Sequence, residues 1–157
     1  MIRNDVSQAR KRLGAAGLRV LGGLEDHGRG HRRAGEDVAM RFLFYTHSLV
    51  SDWNHGNAHF LRGVMRELIS RGHQAIALEP ENGWSRSNLA ADQGPTAIER
   101  FRVDFPELVS HCYDADFDHE CWLDHADVVV VHEWTDPALV ARIGRARRAD
   151  GSFTLLF

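Results

Sequence analysis

The groups best placed to do chemistry in this chain follow residues 126–131. Ala126-Asp127-Val128-Val129-Val130-Val131 is a run of β-branched residues after an aspartate, the pattern of a parallel strand buried on both faces. His132-Glu133-Trp134 comes directly after it, and Asp136-Pro137 then opens a helical stretch. Open α/β sheets bind their ligands at the carboxyl ends of strands. An imidazole, a carboxylate and an indole at such a place could hydrogen-bond a hydroxyl, move a proton and cover a ring.

A second group spans residues 47–57. His47 ends the first predicted strand, and an imidazole titrating near neutrality could take a proton from a hydroxyl there. The plainer reading is a histidine bonded to backbone at a strand end. Asp52 could orient such a histidine or bind a hydroxyl, or simply be a solvated loop carboxylate. Asn54, His55, Gly56 and Asn57 lie at the amino end of a predicted helix, where free N–H groups and the dipole favour an anion such as a phosphate. Gly56 would permit close backbone approach, and Asn54 or Asn57 could be no more than a cap. His55 and His59 are four residues apart, a metal-like spacing, but no His-Glu-x-x-His motif accompanies them and no metal is assigned. Trp134 could equally pack on the helix that follows it.

The elements that must position these groups alternate. Residues 41–46 read as an apolar strand and 57–70 as a helix, with Phe60, Leu61, Val64, Leu68 and Ile69 on its buried face. Arg71-Gly72 ends that helix, residues 74–78 form a strand, and Glu79-Pro80 stops it. Between them, residues 48–56 read as a polar loop. Residues 81–88 read as a loop turning at Asn82-Gly83. A short helix begins near residues 87–91 and another covers 96–103, with Gly94-Pro95 between them. Leu108-Val109 fits a short strand or a helical turn. The acidic stretch 114–120 reads as a solvated face, without the residue order of a calcium loop, and Phe117 with Trp122-Leu123 could anchor a short helix. A strand at 127–131, a helix at 137–148 and a strand at 153–157 complete the pattern. His73 reads as structural. The fold class is α/β, a doubly wound parallel sheet of Rossmann-like type, incomplete at its carboxyl end.

Composition narrows the class. The chain has 157 residues, 43% hydrophobic and 26% charged, enough for one domain with a core. No apolar run reaches the roughly 20 residues of a transmembrane helix, and no secretory leader is evident. The two cysteines, Cys112 and Cys121, read as reduced thiols in a cytoplasmic protein. A formal charge of −3 disfavours nucleic acid as the partner. Residues 1–39 differ from the rest: eight Lys/Arg against five Asp/Glu, rich in Gly and Arg, with no Phe, Trp or Tyr. They are expected to be a flexible extension, or upstream sequence translated from a misassigned start, with the domain proper at residues 40–157. Residues 6–21 could still form a loose helix.

The segment Gly56-Asn57-Ala58-His59-Phe60-Leu61-Arg62-Gly63-Val64-Met65-Arg66-Glu67-Leu68-Ile69-Ser70-Arg71-Gly72-His73 resembles the first helix of GT-B-fold glycosyltransferases, with their Leu-x-x-Arg-Gly-His ending. Asp127-Val128-Val129-Val130-Val131-His132-Glu133-Trp134 resembles the Asp-Val-Val-His-x-His-Asp/Glu-Trp passage of the same enzymes. Within the superfamily the chain looks most like spore-maturation (CgeB-like) glycosyltransferases. The resemblance covers residues 40–157 and implies part of an amino-terminal Rossmann-like domain. That domain holds the hydroxyl acceptor, and a carboxy-terminal domain, missing here, holds the nucleotide-sugar donor. Transfer occurs between them, usually without a metal, and no cofactor is called for. His47, His132 and Glu133 are then the expected catalytic residues, and Asp52, Asn54, His55, Gly56, Asn57 and Trp134 the expected substrate-binding ones. The loop after the first strand lacks the paired glycines of many relatives, which puts donor contact through it in question. This chain alone is expected to be inactive.

Three other readings compete. A flavodoxin-like or response-regulator-like binding module needs a phosphate loop or an acidic cluster after the first strand, where this chain has Tyr45-Thr46-His47. A dinucleotide oxidoreductase needs Gly-x-Gly-x-x-Gly there. A nonfunctional gene fragment would expose a sheet edge and dissolve poorly.

Overall fold

Residues 41–45 illustrate why this chain forms a two-faced sheet. The strand alternates, so Leu43 and Tyr45 enter one apolar cluster and Phe44 the other. A computed structural model describes residues 38–53, 56–151 and 153–157. The expectations for residues 1–37, for Asn54 and for His55 lie outside the described residues.

The elements in chain order are β1 (Arg41–Tyr45), α1 (Asn57–Ser70), β2 (Gln74–Pro80), α2 (Trp84–Gln93) and α3 (Thr96–Asp104). Then come β3 (Val109–Tyr113), α4 (His119–Leu123), β4 (Val128–Val131), α5 (Pro137–Asp150) and β5 (Thr154–Leu156). All five strands are parallel, in the order β3-β2-β1-β4-β5. This is the Rossmann order, with β1 between β2 and β4. The flavodoxin-like order, 2-1-3-4-5, is not the one observed. Met65 of α1 and Phe101 of α3 pack on one face with Phe44, Ala75 and Ala77. Leu123 of α4 with Leu139 and Ile143 of α5 pack on the other. The sheet is thus wound on both sides. No helix of the described residues is long and apolar enough to cross a membrane.

Three local expectations change. The strand β2 does not stop at Leu78; it runs through Glu79 and Pro80. Thr46 N–H bonds the Leu78 carbonyl, and Glu81 N–H bonds the Tyr113 carbonyl. Pro80 therefore directs its missing N–H toward β1, which has already ended at Tyr45, so no ladder bond is lost. The loop after β2 is short, because the Gly83 N–H bonds the Pro80 carbonyl and α2 begins at Trp84. On α1 the buried positions are Ala58, Arg62 and Met65, while Phe60 is 75% exposed. Those three recur at i, i+4 and i+7, and Phe60 falls on the opposite side. Leu61, Val64, Leu68 and Ile69 flank the stripe, partly buried.

The termini of elements follow their sequence signals. Gly72 (φ +82°) ends α1, with its N–H bonding the Ile69 carbonyl. Asp136 caps α5 by accepting from the N–H groups of Ala138 (2.8 Å) and Leu139 (3.2 Å), with Pro137 in the first turn. The acidic stretch before α4 is more than a solvated face. Asp118 caps α4 through the Cys121 N–H at 3.0 Å, and Glu120 pairs with Arg142 of α5.

A buried histidine that the sequence reading passed over couples this packing to pH. His119, 4% exposed, meets the Tyr45 hydroxyl at 3.1 Å through Nδ1. Burial, helped by Arg142, pushes its pKa below the ordinary 6.5, and burial also keeps the Tyr45 hydroxyl protonated. His111 is lowered as well, by burial and then by Arg41. A histidine with a depressed folded pKa binds fewer protons folded than unfolded, so stability rises with pH through that window. Stability should therefore fall as pH drops below about 6.5. A His119→Gln variant should show a shallower fall, measured as urea midpoints across that range. An equal slope in both proteins would remove His119 from the account.

Candidate functional site

The carboxyl ends of β1 and β4 are neighbours at the point where the chain reverses its direction of travel across the sheet. Tyr45 is in register with Val131, and the His132 N–H bonds the Tyr45 carbonyl at 2.9 Å. Such a reversal leaves a crevice, because the connections from the two strands diverge to opposite faces. His47 and His132 emerge here side by side, their rings 4.7 Å apart and edge-on.

The segment after β1 is not the polar loop expected from its composition. Thr46, His47, Ser48, Leu49, Val50 and Ser51 are all buried. Two charged side chains hold it from opposite sides. Glu79, at the end of β2, is 1% exposed and accepts from the N–H groups of Leu49 (2.8 Å) and Val50 (3.3 Å). Its other oxygen accepts from the Ser110 hydroxyl. Arg62, on the buried face of α1, donates to the carbonyls of Leu49 (2.9 Å) and Val50 (3.1 Å) and lies over the rings of Phe101 and Phe105. A carboxylate thus satisfies the amides and a guanidinium the carbonyls of the same two residues, which permits a loop to be buried. Arg62 also donates to Asp52 at 3.2 Å, and His59 lies 3.9 Å from that carboxylate.

The same loop carries an aromatic wall. The Ser51 hydroxyl donates to the Ser85 carbonyl (2.8 Å) and accepts from the Ser85 hydroxyl (2.9 Å), drawing the start of α2 against it. Trp84 is thereby brought over His47, with rings 6.1 Å apart and nearly parallel. Trp53 meets Trp84 edge-on at 5.7 Å. Trp134 approaches both His47 (5.8 Å) and Trp84 (6.5 Å). Trp84 and Trp134 remain 39% and 61% exposed, so their surfaces are open to a ligand. Two indoles, from the segments following β2 and β4, meet the His47 imidazole, which in turn meets His132, and Trp53 from the segment following β1 backs Trp84.

The polar groups of the rim can be assigned roles. The Trp134 N–H donates to His132 Nδ1 at 3.3 Å. In the neutral ring Nε2 then carries the proton. Nε2 lies 3.5 Å from the Asn57 side-chain nitrogen, so in this tautomer two donors stand side by side at the rim. His132 in this arrangement offers a donor rather than a base. Glu133 is exposed, and one of its oxygens accepts from the Trp134 indole at 3.1 Å. Gly56 precedes α1 with an ordinary helical φ of −67°, beside space in which a Cβ would meet nothing within 4 Å. The cap position falls to Gly56, which leaves the Asn57 side chain free for the rim.

The structure therefore brings His47, His132, Glu133, Trp134 and Asn57 together. It places Asp52 elsewhere, on Arg62 and lining a cavity of about 250 Å³ against α2 and α3. Glu79, Arg62, Trp53 and Trp84 carry the site without having been singled out. The three indoles had a signal: each follows the carboxyl end of a strand. Among the described residues no group of three or more His, Cys, Asp or Glu is placed to hold a metal ion. No family model matches this chain, and neither a curated protein nor a solved structure matches it.

Proposed function

We propose that this chain forms the acceptor side of a sugar-transferring enzyme of GT-B type, as part of its amino-terminal Rossmann-like domain. The observation that carries the reading is the convergence of Trp84, Trp134, His132 and Asn57 at the β1/β4 reversal. An indole face matches the apolar face of a sugar ring, and the donors at its edge match the ring hydroxyls. His132 Nε2–H and the Asn57 amide bind acceptor oxygens in this scheme. Glu133 has one oxygen uncommitted among the described residues, and it takes the proton of the attacking hydroxyl. His47, 6% exposed, positions the indoles and His132 rather than touching the acceptor. The nucleotide-sugar donor is held by a carboxy-terminal domain. Two free cysteines support a cytoplasmic setting.

The reading is tested by assaying the full-length gene product against a panel of nucleotide-sugars, with and without hydroxyl acceptors. Transfer or slow donor hydrolysis, reduced at least about 100-fold by Glu133→Gln, is the expected result for loss of a general base. A folded protein that neither binds nor hydrolyses any donor would overturn it.

A further inference from the structure

A second concavity lies between α2, α3 and the edge strand β3, with a volume of about 480 Å³. That is within the range of small-ligand sites. Ser110 and Cys112 form part of its floor; they are in register with Ala77 and Glu79, so they face the α3 side of the sheet. Phe101 and Phe105 supply an apolar wall. Arg86 from α2 and Arg102 from α3 line the same space, and no aspartate or glutamate does. Neither arginine takes part in an ion pair among the described residues. Burial is the largest influence on the Cys112 thiol and raises its pKa; Arg86 and Arg102 lower it, while the carboxylates of Glu79 and Glu81, outside the lining, raise it further. Arg102 and Cys112 are exposed, so the concavity is open to water, and two cations beside an apolar wall still favour an anion there over a neutral ligand. Ser110 gives its hydroxyl proton to Glu79, so toward the cavity it presents an oxygen that accepts.

We propose that this cavity binds a small organic anion with a ring or chain for a body. Its carboxylate or phosphate sits between Arg86 and Arg102, its apolar part lies on Phe101 and Phe105, and a hydroxyl of the ligand donates to Ser110. The inference is independent of the sugar-transfer reading, since none of the crevice's indoles or imidazoles lines this space.

Cys112 provides the readout, and Cys121 on α4 the internal control. Alkylation of each by iodoacetamide is followed by peptide mass spectrometry at fixed pH, with benzoate, phenyl phosphate, inorganic phosphate or benzyl alcohol present. Occupancy slows the Cys112 reaction by blocking it and by disfavouring the thiolate beside a bound anion. Benzoate or phenyl phosphate should slow Cys112 about tenfold when present near ten times its dissociation constant, with Cys121 unchanged. Arg86→Gln and Arg102→Gln should each weaken the affinity about tenfold, so that protection at the same ligand concentration falls to about twofold, as expected for a lost charged hydrogen bond. The proposal is overturned if neither aryl anion protects Cys112. It is also overturned if benzyl alcohol or inorganic phosphate protects equally well, or if both arginine variants are protected like the parent protein.

Discussion

Replacing Glu79 with alanine is expected to lower stability by about 3 kcal/mol. The carboxylate is 1% exposed and serves three donors: the amides of Leu49 and Val50 and the Ser110 hydroxyl. Its removal leaves the Leu49 and Val50 N–H groups buried without their acceptor, each costing about 1–3 kcal/mol unless water enters, while the half-buried Ser110 hydroxyl can turn to the cavity beside it. Glu79→Gln keeps one acceptor oxygen and should cost about half as much. Urea unfolding measures both. Amide exchange at Leu49 and Val50 should accelerate in the alanine variant, because the loop they belong to loses one of its two anchors. A loss below about 1 kcal/mol with unchanged exchange would mean that Glu79 does not hold the loop.

Replacing Trp134 with alanine should do the reverse: a large effect on ligand affinity and almost none on stability. The indole is 61% exposed, so its loss should change stability by less than about 0.5 kcal/mol. Its ring lies with Trp84 on the open side of the crevice, and a sugar ring covering it would gain about 1–3 kcal/mol. That corresponds to about 5–150-fold in affinity. The Trp134 amide also fixes the His132 tautomer, but that contact is made by backbone and survives the substitution. Calorimetric titration of parent and variant with the acceptor, alongside urea midpoints, separates the two effects. A destabilised variant with unchanged affinity would make Trp134 a packing residue of the α5 start.

How much of this was legible in the sequence depends on the range of each interaction. The valines of β4, the Arg71-Gly72 stop and the Asp136-Pro137 start are local signals, and the structure follows them. The α/β alternation gave the wound parallel sheet, and the meeting of His47 with His132 follows from parallel pairing of the strands before them. Glu79 was hidden because its partners, Leu49 and Val50, lie about 30 residues away in sequence. A glutamate before a proline reads as a strand stop until those partners are known. Arg62 was hidden likewise: a cation in an amphipathic helix reads as solvent-facing, whereas its guanidinium here satisfies two buried carbonyls. Asp52 looked like a free loop carboxylate near a histidine, and Arg62 claims it. The loop of residues 46–51 is composed like a surface segment, and only these distant charges allow its burial.

The central claim is that the β1/β4 crevice binds a sugar ring against its indoles, and the chain carries its own reporters. Its four tryptophans each give one indole N–H resonance: Trp53, Trp84 and Trp134 lie at the crevice, while Trp122 packs on the α4 side of the sheet. Nitrogen-edited NMR titration of the labelled chain with hydroxyl acceptors and nucleotide-sugars should shift the Trp84 and Trp134 signals saturably while Trp122 stays in place. Titrations in which all four signals remain fixed, or in which Trp122 alone moves, would contradict the account.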